Sequence, residues 1–230
     1  MQSPARVKAI LFDVYGTLLN PLSIEAQVSQ FVPTNSLQFV TLWRAKQLEY
    51  SWLLSLMNRY ESFWQVTHRA LTYTCRRLNV ALTSTQSQQL LDCWTQVAPF
   101  DDVLAGLAVL QAKNIRLGVL SNGNPAMLEA GLTNGGIRPY LNPVLSVETA
   151  RIFKPSPRVY DLALPHFGPD PAKIGFVSSN SWDAIGATAL GFQVCWLNRS
   201  DNVLDELGFV PTYQVTNFAQ VVEIYVKSKD

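Results

Sequence analysis

Short apolar runs that end in polar residues divide this chain into strands and helices. The first run, Ala9 to Phe12, is followed at once by Asp13 and then by a turn at Gly16-Thr17. Continuous apolar runs of this length are typical of strands buried on both faces of a parallel sheet. Four further runs of this kind predict strands at 115–120, 144–147, 174–177 and 194–197.

Helical patterns separate these strands. From residue 101 onward, apolar residues recur every three to four positions, and boundary residues such as Pro and Gly delimit the segments. This pattern predicts helices at 101–113, 124–132, 154–166, 182–190 and 218–227. Strands that alternate with helices in this way predict an α/β core built on a doubly wound, Rossmann-like parallel sheet.

The segment after the first strand has no strand-like alternation. Apolar residues recur with helical spacing over 36–57 and 61–78, and a third helix is expected after Thr83, a candidate N-cap. Pro99 then ends the pattern. We therefore interpret 20–97 as a helical cap domain inserted into an α/β core domain that comprises 1–19 and 98–230.

Composition and charge narrow the class of partner. The 230 residues are 48% hydrophobic and 15% charged, with a formal net charge of +1. Basic residues cluster no further than pairs, which argues against a nucleic-acid partner, because phosphate neutralisation needs a concentrated basic face. Small anions remain candidate ligands, since one or two placed cations are enough to bind them.

Several features of the sequence favour a cytoplasmic protein. No stretch approaches the roughly 20 apolar residues that span a bilayer, so we expect no membrane partner. The first six residues lack the apolar region of a signal peptide. Cys75, Cys93 and Cys195 are odd in number and widely spaced, as expected of reduced thiols.

Four polar clusters lie at strand ends or just beyond them: Asp13/Thr17, Ser121/Asn122, Lys154, and Ser178/Asn180/Asp183. Each alone has an ordinary structural explanation, such as a turn, a helix N-cap or a solvated loop lysine. In a parallel sheet, however, the carboxyl ends of the strands meet at one edge, which is where ligands bind. We therefore expect the four clusters to form one site.

These clusters resemble the four motifs of the haloacid dehalogenase superfamily. The matching segments are Phe12-Asp-Val-Tyr-Gly-Thr-Leu18, Leu120-Ser-Asn-Gly123, Lys154-Pro155 and Phe176-Val-Ser-Ser-Asn-Ser-Trp-Asp183. The last motif and the cap runs at 42–50 and 55–60 resemble the L-2-haloacid dehalogenase branch in particular. The resemblance implies a homodimer that uses no metal and no other cofactor.

Tyr15 marks a departure from most of the superfamily. Phosphatases that share these motifs carry a second aspartate at this position, which protonates an alkoxide leaving group. Halide is the conjugate base of a strong acid and needs no proton, so general-acid catalysis has nothing to contribute. The fourth motif also holds too few carboxylates for a confident magnesium site. Phosphoryl transfer is therefore disfavoured.

The resemblance implies a role for each residue of the site. It assigns catalysis to Asp13, Thr17, Lys154, Ser178, Asn180 and Asp183. It assigns substrate binding to Tyr15, Arg44, Leu48, Phe63, Ser121, Asn122, Tyr160 and Trp182. Asp13 would attack C2 of a 2-haloalkanoate and form an ester, which water then hydrolyses.

The other residues are expected to support these two steps. Asp183 and Ser178 would hold Lys154 against Asp13, and Asn180 with Asp183 would position the water. Ser121 and backbone N–H groups near Tyr15 would bind the substrate carboxylate. Arg44 and Asn122 would receive the halide, for which a delocalised guanidinium is well suited. Leu48, Phe63, Tyr15 and Trp182 would form the pocket wall.

Three alternatives stay open from the sequence. A related hydrolase could open a small strained ring, such as azetidine-2-carboxylate, with the same nucleophile. A Mg²⁺-dependent phosphatase and a non-catalytic protein that binds small acids are the other two, since a fold alone does not prove an activity. For Leu48 and Phe63, ordinary helix packing is an equally good explanation.

Overall fold

The structure is a computed structural model that describes residue 7 and residues 9–227. Met1–Arg6, Lys8 and Ser228–Asp230 lie outside the described residues. The N-terminal segment considered above for a signal peptide is therefore outside them, as are the outer limits of the expected core domain.

A six-stranded parallel sheet forms the core. The strands are β1 Ala9–Phe12, β2 Arg116–Ser121, β3 Val144–Ser146, β4 Ile174–Ser178, β5 Gln193–Leu197 and β6 Tyr213–Val215. Their order across the sheet is β3-β2-β1-β4-β5-β6, which confirms the doubly wound α/β fold. Strands β1, β4 and β5 are buried along their whole length, as their continuous apolar runs predict.

The sheet register brings the predicted clusters to one edge. Phe12 pairs with Val119 of β2 on one side and with Val177 of β4 on the other. Residues that follow these three positions therefore emerge at the same level. The chain switches direction across the sheet between β1 and β4, and this is the point at which α/β sheets bind ligands.

Ten α-helices complete the described part of the chain. They are α1 Glu25–Val28, α2 Ser36–Leu56, α3 Phe63–Arg77, α4 Ser84–Cys93, α5 Val103–Ala112, α6 Pro125–Asn134, α7 Pro157–Tyr160, α8 Leu164–Phe167, α9 Ser181–Ala189 and α10 Phe218–Lys227. None of the described helices is long and apolar enough to cross a bilayer.

Helices α1 to α4 occupy the segment expected to form the cap. Capping boxes begin α3 at Ser62, with Gln65, and α4 at Thr83, with Gln86. Asn20 N–H donates to the carbonyl of Ala98 over 2.8 Å, so the chain segments that enter and leave this region run side by side. The domain boundaries expected at 19/20 and 97/98 fall at this paired crossing.

Two sequence predictions differ from the observed elements. The helix expected over 154–166 is divided into α7, a 3₁₀ turn at Asp161–Ala163 and α8. Pro165 explains the break, because it has no N–H to bond to the carbonyl four residues earlier. The sequence does not predict strand β6, since it is only three residues long at a sheet edge and buries only Val215.

Candidate active site

Asp13 lies at the end of β1, and three side chains hold its carboxylate. Its backbone N–H donates to the carbonyl of Val177, which continues the β1–β4 pairing. One carboxylate oxygen, Oδ2, accepts from Thr17 Oγ1 at 3.0 Å and from Asn180 Nδ2 at 2.8 Å. The other, Oδ1, accepts from Lys154 Nζ at 3.2 Å. These bonds fix the orientation of the side chain, and the residue is buried, with only 5% of its surface exposed.

The turn after Asp13 depends on Gly16. This residue has φ of +100°, a conformation that L side chains rarely adopt. Its Cβ position would lie 3.5 Å from the Asn180 side chain. That distance is an ordinary contact, so it is the backbone conformation that requires glycine, and the turn brings Thr17 back to Asp13.

Lys154 joins the two carboxylates of the site. Its Nζ donates to Asp183 Oδ2 at 2.9 Å as well as to Asp13, and the residue is 1% exposed. The Tyr160 hydroxyl donates to the other oxygen of Asp183 at 2.7 Å. Burial raises the pKa of Asp183, against the opposing effect of the Lys154 ammonium. Burial also raises the pKa of Tyr160, so this residue stays a neutral donor.

Ser178 makes a different contact from the one expected. Its Oγ accepts from the backbone N–H of Asn180 at 3.2 Å, which stabilises the turn between β4 and α9. The resemblance implies, by contrast, that this hydroxyl holds Lys154. The Ser178 hydroxyl therefore supports the site through the turn that carries Asn180.

Asn122 connects β2 to the lysine. Its Oδ1 accepts from the backbone N–H of Lys154 at 3.0 Å. Its Nδ2 is buried and has no hydrogen-bond partner among the described residues. A buried donor without a partner carries a free-energy cost, so this group is available for an anion. Ser121, also buried, accepts from Gly123 N–H at 3.2 Å.

Tyr15 presents its backbone, not its side chain, to the site. Its carbonyl accepts from Arg44 Nη2 at 3.1 Å and from Asn180 Nδ2 at 3.3 Å. Its hydroxyl donates to the carbonyl of Trp94 at 3.2 Å, and burial raises its pKa. This side chain is therefore not placed to act as the acid that phosphatases carry here. The N–H groups of Gly16 and Thr17 are also engaged within the turn, to Leu19 and Val14 carbonyls.

The residues expected to form the pocket wall lie where the cap meets the core. Phe63 is buried against Phe153, the residue before Lys154, with ring centroids 5.9 Å apart. Trp182, the residue before Asp183, packs edge-on against Trp52 of α2 at 5.5 Å. Leu48 is partly buried, one turn along α2 from Arg44.

Sequence reasoning missed several polar residues that face this region. Gln47 and Thr67 are fully buried and hydrogen-bonded to each other, and Gln47 also contacts Arg44. Ser55 accepts from the backbone N–H of Phe153 at 3.1 Å and so connects α2 to the lysine loop. A signal was present, because Gln47 follows Trp43 by four residues on the buried face of α2.

The charged side chains of the site form a cluster of ion pairs. Within the described residues, no group of three or more His, Cys, Asp or Glu side chains could hold a metal ion. The carboxylates of Asp13 and Asp183 are both bound by the Lys154 ammonium.

Comparisons with known proteins agree with this geometry. A family model described as haloacid dehalogenase-like hydrolase matches residues 7–191. An (S)-2-haloacid dehalogenase of Pseudomonas sp. (strain YL) is 42% identical, with 95% of this chain and 94% of the relative covered. The crystal structure of the L-2-haloacid dehalogenase RSc1362 matches with a TM-score of 0.93 and 35% identity, over 96% of this chain and 100% of that one.

A further solved structure is the L-2-haloacid dehalogenase from Xanthobacter autotrophicus with chloropropionic acid covalently bound. It matches with a TM-score of 0.90 and 31% identity, and it covers 95% of this chain and 98% of that one. Family model, sequence relatives and solved structures thus agree over nearly the whole chain. This protein belongs to the haloacid dehalogenase-like hydrolases, in the family of the (S)-2-haloacid dehalogenases.

Proposed function

We propose that this protein hydrolyses (S)-2-haloalkanoic acids to (R)-2-hydroxy acids through an ester formed on Asp13. The observation that carries the proposal is the state of the Asp13 carboxylate. It is buried, fixed by donors on both oxygens, and paired with an ammonium at the switch point of the sheet. A carboxylate held in this way is oriented for attack and shielded from water.

In the first step, a carboxylate oxygen of Asp13 attacks C2 of the substrate opposite the halogen. The C–O bond forms as the carbon–halogen bond breaks, and the electron pair leaves with the halide. The configuration at C2 is inverted, which converts an (S)-haloacid into an (R)-product. We assign Lys154 to orienting Asp13, and Arg44 with the unpaired Asn122 amide to receiving the halide.

The remaining binding residues would surround the substrate. We assign its carboxylate to Ser121 at the end of β2; of the backbone N–H groups near Tyr15 that were expected to share this role, those of Gly16 and Thr17 are engaged within the turn. Leu48, Phe63 and Trp182 would form the pocket wall, and Tyr15 would contribute its backbone carbonyl to the site. Tyr160 supports the site through Asp183, to which its hydroxyl donates.

In the second step, water attacks the carbonyl carbon of the Asp13 ester. The acyl C–O bond of the ester breaks, one proton of the water goes to the oxygen of the departing hydroxy acid and the other is released, and the Asp13 carboxylate is regenerated with one oxygen from water. Thr17 and Asn180, which both donate to Oδ2 of Asp13, are placed to stabilise the charge that develops on that oxygen. We assign the positioning of the water to Asn180 and Asp183.

We further propose that the protein acts in the cytoplasm, as a homodimer, with small haloacids as its partners and no membrane or nucleic-acid ligand. Its three free cysteines are compatible with a reducing compartment. The homodimer is an expectation from the family and is tested by sedimentation.

The test of the mechanism is a single turnover in H₂¹⁸O with the enzyme in excess. Because the oxygen of the first product comes from Asp13, that product should be largely unlabelled and the label should appear in the Asp13 peptide. A product labelled in the first turnover would show that water attacks C2 directly and would contradict the ester.

The test of the substrate class is halide release from both enantiomers of 2-chloropropionate, with azetidine-2-carboxylate and phosphomonoesters as comparison substrates. Release from the (S)-enantiomer alone is expected. Ring opening without halide release, or phosphate release dependent on Mg²⁺, would favour the corresponding alternative hydrolase.

A further inference from the structure

A buried hydrogen-bond chain crosses the cap behind Arg44. Gln47 of α2 donates from Nε2 to Thr67 Oγ1 of α3 at 3.0 Å, and it accepts from Arg44 Nη1 at 3.3 Å. Gln47 and Thr67 are both 0% exposed. Two fully buried polar side chains, Gln47 and Thr67, thus form a hydrogen-bonded chain that ends at the Arg44 guanidinium, whose Nη2 donates to the Tyr15 carbonyl.

The orientation of the Gln47 amide follows from the protons available. A threonine hydroxyl has one proton, and that of Thr67 is donated to the carbonyl of Phe63 at 2.8 Å. Toward Gln47, the Thr67 oxygen can therefore only accept. The Gln47 amide must turn its NH₂ group to Thr67 and its oxygen to Arg44. The oxygen of Gln47 is thereby fixed as an acceptor for the guanidinium.

Arg44 is held by neutral groups. Its Nη2 donates to the carbonyl of Tyr15, its Nη1 to the amide oxygen of Gln47, and its guanidinium lies 6.0 Å from the ring centre of Trp94. These neutral acceptors fix the direction of the guanidinium and add no opposing charge of their own, and the Asp13 carboxylate, which also acts on Arg44, is paired with Lys154. A carboxylate at the position of Gln47 would fix it equally well but would compete with an incoming anion.

We propose that Thr67 and Gln47 are positioning residues that orient Arg44 as an anion receptor and leave its positive charge available to the departing halide. The inference rests on the proposed function, because it takes halide as the anion that Arg44 receives. Thr67 and Gln47 act through Arg44 and contact neither substrate nor the reacting atoms.

Three variants separate orientation from charge. Thr67→Val keeps the shape of the side chain but removes the acceptor for Gln47, and Thr67→Ser retains the hydroxyl. Gln47→Glu keeps an acceptor for Arg44 and adds a negative charge. The Trp43 indole Nε1 donates to the backbone carbonyl of Thr67 over 2.8 Å, and this hydrogen bond, which these changes leave in place, continues to connect α2 to α3.

A matched control lies on the same helix. Thr74 is also fully buried on α3, and its hydroxyl donates to the carbonyl four residues earlier, Ala70, at 2.9 Å. Thr74→Val thus removes the same kind of local bond without a connection to Arg44. It measures the effect of losing a threonine hydroxyl from this helix.

The experiment measures bromide binding directly, by line broadening in bromide NMR, and bromide inhibition of turnover in parallel. Thr67→Val should weaken bromide binding about 5- to 10-fold, the equivalent of roughly one hydrogen bond. Thr67→Ser and Thr74→Val should stay within about twofold of the unaltered protein. Gln47→Glu should weaken binding at least as much as Thr67→Val, because it adds the opposing charge.

Equal bromide affinity in Thr67→Val, Gln47→Glu and the unaltered protein would overturn the proposal, as would a loss of affinity in Thr74→Val equal to that in Thr67→Val. Bromide binding does not require turnover. A protein that releases no halide from 2-chloropropionate but shows this pattern of bromide affinities would therefore overturn the proposed function and still support the orientation of Arg44.

Discussion

At the scale of single residues, the site is organised by the buried charge of Lys154. Its ammonium lies between Asp13 and Asp183 and 5.0 Å from the ring centre of Phe176. Taking charged groups out of water is costly unless they are paired, and here one cation serves two carboxylates. Loss of Lys154 would leave both carboxylates buried without a cation to pair with.

This arrangement leads to a prediction about metals. Turnover should persist after exhaustive chelation, because the Lys154 ammonium already pairs with both carboxylates and the leaving group needs no acid. Halide release with and without EDTA checks it, and a phosphatase of the superfamily treated in parallel serves as the control. Activity that disappears with EDTA and returns with Mg²⁺ would contradict the proposed mechanism.

A second prediction concerns the amide of Asn122. Asn122→Asp replaces the buried, unpaired Nδ2 donor with an acceptor and adds a negative charge beside the expected halide site. We expect kcat/KM to fall about 100-fold or more, the usual effect of losing one such donor. Asn124→Asp is the matched control, since Asn124 caps α6 by accepting from Met127 N–H and aspartate caps equally well. Similar activity in the two variants would remove Asn122 from the halide site.

Sequence motifs predicted which residues meet at the site but not all of their contacts. Asp13, Lys154 and Asp183 lie together as expected, because the ends of parallel strands determine their positions. The contact of Ser178 with Asn180 depends on a local turn that no pattern encodes. Gln47 and Thr67 could not be paired in advance, because they lie on two helices whose rotation is set by packing.

At the scale of elements, α9 packs closely against the segment that carries the lysine. Gly186 makes this approach possible, because a Cβ there would lie 2.7 Å from Pro155 Cβ and 2.7 Å from the Tyr160 hydroxyl. The same helix carries Asp183, so its distance from the lysine segment sets the geometry of the charged cluster.

Gly186→Ala should therefore impair both stability and turnover. Overpacking of this kind costs about 1–3 kcal/mol of unfolding free energy, and displacement of Tyr160 should lower kcat about 10- to 100-fold. Denaturant unfolding and steady-state kinetics measure the two effects. Ala189→Ser, at an exposed position of α9, is the control and should change stability by less than about 0.5 kcal/mol. Normal kcat in a folded Gly186→Ala protein would show that the spacing does not matter.

The hydrophobic pattern predicted the elements that are buried on one or both faces, but it did not predict the strand at the edge of the sheet. Strands β1, β2, β4 and β5 and helices α2, α3 and α10 were placed to within about two residues. Strand β6 is too short and too exposed to produce a pattern. The helix after Lys154 was predicted as continuous because its apolar spacing is helical, although Pro165 prevents a continuous backbone ladder.

At the scale of the whole molecule, burial of tyrosines links stability to alkaline pH. Burial raises the pKa of Tyr15, Tyr160 and Tyr225 above the usual value near 10, and raises that of Tyr60 to about 12. In the unfolded chain these hydroxyls ionise near pH 10. The folded state then binds more protons than the unfolded state, so stability falls as pH rises from about 10 toward the native pKa values.

The expected slope is roughly 1.4 kcal/mol per pH unit for each fully buried tyrosine. Denaturant unfolding at a series of pH values above about 10 measures it. Tyrosinate absorbance provides the check, because the fully buried tyrosines among the eight in the chain should ionise only when the protein unfolds. Ionisation of all eight in the folded protein would contradict the assignment.

The position of β1 in the sheet has a consequence for how the protein is made. Ala9 pairs with Arg116 on one side and with Ile174 on the other, so the strand that leads to Asp13 is synthesised long before either neighbour. On the ribosome this apolar strand remains unpaired while the whole cap region is translated. Sheets of such high contact order form slowly, and their exposed strands are prone to aggregate. Aggregation of nascent chains should therefore limit the yield during expression, and slower translation or added chaperones should increase that yield.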